Sequence, residues 1–87
     1  MTQELVLYQF PACPFCQRVL RQIEQLGLDI ELRDTRRDPE AKQELQQGGG
    51  RTMVPCLRIA HEDGRVEWMY ESEDINRYLI SRYGSIG

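Results

Sequence analysis

Two cysteines separated by a proline and a phenylalanine, Cys13-Pro14-Phe15-Cys16, are the residues of this chain best suited to chemistry. At that spacing two thiols can close a disulfide, hold a metal ion, or exchange with an outside disulfide. A third cysteine, Cys56, directly follows Val54-Pro55, and the single histidine is His61. Three is an odd count, which argues against a secreted framework of disulfides. In a reducing interior a close pair is more often catalytic or metal-binding than a permanent staple. A zinc site would draw on Cys13, Cys16, Cys56 and His61. Such sites usually bring their second pair in another tight turn, whereas Cys56 and His61 fall at opposite ends of one predicted strand.

The work open to the pair depends on the elements that position it. Leu5-Val6-Leu7-Tyr8 is a continuous apolar run suited to a strand buried on both faces. Val19, Leu20, Ile23 and Leu26 then recur at helical spacing among polar residues. Pro14 fits the first turn of that helix and Gly27 stops it, so the spacing predicts a helix over Pro14 to Leu26. Ile30 and Leu32 alternate with charged residues as a second strand, giving a strand–helix–strand unit that favours a parallel pair. Asp38 caps a second helix with Pro39 in its first position, expected to run to about Gln47 and to end at Gly48-Gly49-Gly50. Its only inward candidates are Ala41 and Leu45. Cys56 to Ala60 and Val66 to Met69 read as strands joined at Asp63-Gly64, a hairpin signal. Ser72 is expected to cap a last helix carrying Ile75, Tyr78, Leu79 and Tyr83 along one face. The order is βαβ, α, ββα: one α/β domain over residues 1–87, with a four-stranded mixed sheet and helices on both faces.

Composition narrows the class. The chain has 87 residues, 40% hydrophobic and 29% charged, an ordinary globular mixture. Its formal charge is −3 with no long basic run, which argues against nucleic acid as a partner. No apolar run approaches the roughly 20 residues of a membrane span, and residues 1–10 lack the pattern of a signal peptide. A cytoplasmic monomer is the expectation.

On this map Cys13 falls at the N-cap of the first helix. The free N–H groups of a helix start and its dipole favour negative charge there, and thiolate rather than thiol is the nucleophile. Cys16 lies one turn further in, within reach of a disulfide but more shielded. The arrangement predicts that Cys13 attacks and Cys16 resolves. Val54-Pro55 is the second informative pair, because a proline opening a strand lacks a donor. A cis bond there would leave the N–H and C=O of Val54 free to pair with an extended thiol peptide. Cys56 reads as a small buried hydrophobe, the usual state of a free cysteine in a strand, with a regulatory thiol as the alternative. His61, beside a hairpin turn, is expected to be exposed, and Trp68 to pack on a sheet face.

Cys13-Pro14-Phe15-Cys16, then Thr52-Met53-Val54-Pro55, then Glu71-Ser72-Glu73-Asp74-Ile75 resemble the glutaredoxin family, in its order and spacing and over essentially the whole chain. The resemblance implies a thioredoxin-like fold, a cis Pro55, glutathione as the thiol co-substrate and Cys13 as the nucleophile. It also implies Val54 as the residue that pairs with the cysteinyl part of glutathione. Three departures stand out. Phe15 replaces a frequent tyrosine, keeping the ring without its hydroxyl. Phe10 replaces a frequent lysine, which leaves the helix terminus to do more for the thiolate. Tyr70-Glu71 replaces the usual pair of glycines before the last helix, and Glu71-Ser72 instead resembles the amino-terminal domain of glutathione transferases.

The resemblance gives each end of glutathione a place. The N–H groups opening the last helix, with the Ser72 hydroxyl, suit the γ-glutamyl carboxylate. Glu71 can accept the γ-glutamyl ammonium, and Phe15 counts among the contacts. For the glycine carboxylate the candidates are Arg36, Arg37 and Lys42, of which Arg37 is preferred. The expected function is a glutathione-dependent thiol–disulfide oxidoreductase acting on disulfide or glutathionylated proteins, with no metal. The competing readings are a redoxin fed by a flavoprotein reductase, a carrier of a glutathione-coordinated iron–sulfur cluster, and a glutathione transferase.

Overall fold

Alternation along the strands divides the apolar residues of this chain between two sides of one sheet. The structure, a computed structural model, describes residues 4–84; residues 1–3 and 85–87 of the expected domain lie outside the described residues. Strand β1 (Glu4–Gln9) leads into helix α1 (Pro14–Leu26), strand β2 (Glu31–Asp34) and helix α2 (Pro39–Gly49). Strands β3 (Cys56–Ala60) and β4 (Val66–Tyr70) and helix α3 (Ser72–Tyr83) complete it. The sheet order is β2-β1-β3-β4, with β1 parallel to β2 and the other two pairs antiparallel. This is the thioredoxin-like arrangement that the motifs implied.

Leu7 of β1 stands opposite Leu57 of β3, which in turn pairs with Met69 of β4. Leu7 and Leu57 point to the side covered by α1 and α3, where Val19, Ile23, Ile75 and Leu79 close the larger core. Their neighbours Val6, Tyr8 and Cys56 point the other way and meet Ala41 and Leu45 of α2, with Trp68 and Tyr70 packed alongside. The Tyr8 and Trp68 rings lie 5.6 Å apart between centroids, so Trp68 packs on a sheet face as expected. Two local signals hold α1 in place. Pro14 occupies its first turn, and Gly27, at φ 68°, closes it through Gly27 N–H to Glu24 C=O and Leu28 N–H to Ile23 C=O.

Three expectations need correction. Helix α2 does not stop at Gln47 but continues through Gly48 and Gly49, ending at Gly50 with φ 87°. A Cβ on Gly48 would overlap the Trp68 ring, and one on Gly49 the Tyr70 hydroxyl, so these glycines let the helix lie directly on β4. Ser72 is not a capping residue. Glu71 holds the N-cap position at φ 75°, its C=O accepts the Ile75 N–H at 3.0 Å, and no side chain caps the helix. His61 is not exposed but partly buried, with Nε2 3.1 Å from Glu67 Oε1.

Candidate functional site

The loop after β1 delivers Cys13 to the start of α1 in an extended conformation, φ −83° and ψ 120°. Its N–H donates to Phe10 C=O at 3.1 Å, and Gln17 Nε2 donates to Pro11 C=O at 2.9 Å, so the loop is tied at both ends. Pro14 occupies the N1 position, where a missing N–H breaks nothing. The Cys16 N–H donates to the Cys13 Sγ at 3.4 Å, a helix-start amide aimed at sulfur. The thiols differ in access. Cys13 keeps 8% of its surface and Cys16 none. Burial pushes the Cys16 thiol up to about 12, opposed by a hydrogen bond to the Phe10 backbone and reinforced by the neighbouring Cys13. Both cysteines are free thiols.

The chain reaches β3 through a cis Val54–Pro55 bond, as the motif implied. Pro55 is buried and Val54 half-buried, outside the strand ladders. Among the described residues the N–H and C=O of Val54 have no backbone partner. Beyond β4 the chain turns at Glu71, a side-chain-bearing residue in the left-handed half of backbone space. Such conformations cost about 1–3 kcal/mol and gather where function fixes them. The turn sets Ser72 as the first residue of α3, 7% exposed, with no hydrogen-bond partner for its hydroxyl among the described residues.

Between these segments lies a cavity of about 540 Å³. Phe15 and Arg18 of α1 form one wall and Met53, Val54 and Pro55 another. Tyr70, Glu71 and Ser72, continuing into Glu73 and Asp74, form the third. Five residues singled out in the sequence therefore meet: Phe15, Val54, Pro55, Glu71 and Ser72. Cys13 and Cys16 do not line the cavity; they stand beside it, on the same helix start as Phe15. Arg37 is not brought to it. That residue is exposed in the turn after β2, where its N–H donates to Asp34 Oδ1 at 3.1 Å. Arg36 lies 4.5 Å above the Phe10 ring, and Lys42 is likewise absent from the lining. The cation at the cavity is Arg18, whose guanidinium sits 6.0 Å from the Phe15 ring centre. Its signal was its place three residues after Phe15 on one helical face.

A second cavity of about 560 Å³ opens on the α2 side of the sheet. There Arg33 reaches Glu31, Asp38 and Glu44, the Tyr8 hydroxyl donates to Glu44 at 3.0 Å, and Arg58 lies 5.8 Å from the Trp68 ring centre. Among the described residues no three His, Cys, Asp or Glu side chains gather as a metal site.

Cys56 is fully buried opposite Tyr70 in the β3–β4 ladder. Burial pushes its thiol up to about 12, with the Tyr70 hydroxyl and Arg51 pulling the other way. A thiol reagent added to the native reduced protein should label Cys13 first and Cys56 slowly, as followed by peptide mass mapping. Rapid labelling of Cys56 would contradict its burial under Tyr70.

Residues 7–86 match the family described as glutathione S-transferase, N-terminal domain. No curated protein matches the chain. Among solved structures, the maleylacetoacetate isomerase of Anaeromyxobacter dehalogenans 2CP-1 with bound GSH is 27% identical, with a TM-score of 0.74 over 99% of this chain and 40% of that one. An epsilon-class glutathione S-transferase from the housefly, Musca domestica, is 29% identical, with a TM-score of 0.68 over 94% of this chain and 36% of that one. The chain spans about two fifths of the length of these proteins.

Proposed function

This chain belongs to the glutathione S-transferase N-terminal domain family, and within it we propose a glutathione-dependent thiol–disulfide oxidoreductase that works through Cys13 and Cys16. One observation carries the reading: the Cys16 amide aimed at the Cys13 sulfur, beside a cavity walled by Val54 and Ser72. Glutathione as co-substrate is supported by the family and by the GSH bound in the isomerase structure.

In this reading the unpaired N–H and C=O of Val54 pair with the cysteinyl part of glutathione. The Ser72 hydroxyl and the α3 amides hold the γ-glutamyl carboxylate, and Glu71 takes the ammonium. The Cys13 thiolate attacks the glutathionyl sulfur of a mixed disulfide. A Cys13–glutathione disulfide forms, the substrate S–S bond breaks, and the substrate thiolate leaves to take up a proton. Cys13 is freed when a second glutathione thiolate attacks that glutathionyl sulfur, giving glutathione disulfide. For a protein disulfide, Cys13 first bonds to one substrate sulfur and Cys16 then displaces it, closing Cys13–Cys16. Two glutathiones reopen that bond. A reducing cytoplasm suits this cycle, run by a monomer.

The test is release of glutathione from a glutathionylated peptide in the presence of reduced glutathione. Turnover well above the uncatalysed exchange is expected, and its absence would remove the proposal. Conjugation of glutathione to an electrophile is a second reading, favoured by the family match itself. It needs no thiol at position 13, so conjugation of glutathione to an electrophile that persists in Cys13→Ser would favour it.

A further inference from the structure

The charges around the cavity do not balance. Glu71, Glu73 and Asp74 line it from the start of α3, and Arg18 is the cation in its lining. Asp74 is taken by Arg77, with Oδ1 and Nη1 3.5 Å apart. Glu71 and Glu73 have no ion-pair partner among the described residues. Glutathione brings one ammonium, which the proposed binding mode gives to Glu71, and two carboxylates, which match no acid. Glu73 is left over. The helix dipole explains an acid in this turn but not its place at a cavity that Ser72 also lines. Two large apolar side chains, Phe15 at 56% and Met53 at 50% exposure, stand uncovered on the other walls of the same cavity.

From this juxtaposition we infer that the disulfide partner is a protein or peptide segment whose reactive cysteine is flanked by a basic and an apolar side chain. The inference rests on the oxidoreductase reading above. The basic group sets against Glu73 and the apolar one against Phe15 and Met53. The glutathionyl half of the mixed disulfide occupies the cavity, and its sulfur is passed to Cys13 as described, with the peptide leaving as a thiol. Charge complementarity at such a rim acts on encounter and on the choice of partner more than on the chemical step.

The experiment uses three glutathionylated peptides that differ in one residue beside the cysteine: Lys, Gln or Glu. The expected order of kcat/KM is Lys above Gln above Glu, each step about two- to fivefold, the range of an exposed ion pair. At about 1 M salt, where the screening length is about 3 Å, the three values should converge. Glu73→Gln should flatten the order and Glu73→Lys should reverse it, a change that a purely structural role for Glu73 would not produce. Equal turnover of the three peptides at low salt, or an order unaltered in both variants, overturns the inference and leaves the oxidoreductase standing. No turnover of any peptide removes both, beginning with the oxidoreductase.

Discussion

Cys13→Ser is expected to bring turnover of a glutathione mixed disulfide down to background, while Cys16→Ser keeps it and loses the reduction of protein disulfides. The two sulfurs differ in access and in what faces them. Cys13 retains some exposure and receives the Cys16 amide, whereas Cys16 is sealed and its thiol pushed up to about 12 by burial. Cys16 is thus a protonated thiol at neutral pH. It can act only on a sulfur already bonded to Cys13, and its contribution should quicken as pH rises, since exchange follows the thiolate fraction. Serine is itself a preferred N-cap, so Cys13→Ser keeps the start of α1 intact and the loss is chemical. Parallel kinetics on a glutathionylated peptide and a protein disulfide decide the matter. A Cys16→Ser protein as dead as Cys13→Ser toward the glutathionylated peptide would reverse the assigned roles.

The second large effect belongs to the start of α3. Glu71→Ala with Ser72→Ala should raise the apparent KM for glutathione and leave the alkylation rate of Cys13 near its starting value. Two charge-assisted contacts, at about 1.5–3 kcal/mol each and not fully additive, amount to roughly 2–4 kcal/mol. That corresponds to about 30-fold to several hundred-fold in affinity. The Ser72 hydroxyl makes no capping bond, so its loss takes no helix cap away and the KM change reads out binding. An unchanged KM for glutathione would move the electron donor elsewhere and favour a redoxin fed by a reductase.

The elements that could be read from the sequence are those fixed by local chemistry. Pro14 and Gly27 bracket α1, Asp38-Pro39 opens α2, and Asp63-Gly64 turns β3 into β4; each signal acts within a few residues. Cys13 at the N-cap followed from the same brackets. The misreadings are places where a distant partner decides. Three glycines ordinarily end a helix, but Gly48 and Gly49 are retained in α2 because Trp68 and Tyr70 lie against them. Ser72 looked like a cap, and the backbone of Glu71, set by how β4 meets α3, moved that position back by one residue. Arg37 is the preferred cation of three candidates that do not include Arg18, and it is the packing of α1 beside α3 that brings Arg18 to the cavity instead. His61 found its partner Glu67 across a hairpin.

The contact of α2 with Trp68 and Tyr70 makes the two layers of the protein unequal in their resistance to opening. Helices α1 and α3 share an extended core with the sheet, whereas α2 rests on Ala41, Leu45 and two glycines that add no side chain of their own. Local unfolding draws first on elements with few buried apolar contacts, so α2 is expected to open before the rest of the fold, which earlier exchange of its amide hydrogens would report. Tyr70 joins that event to the cavity, because the residue whose ring abuts Gly49 is also one that lines the cavity, and its hydroxyl donates to Arg51 C=O at 2.9 Å. A ligand that immobilises Tyr70 from the cavity side thereby raises the free energy of detaching α2 from the opposite face of the sheet.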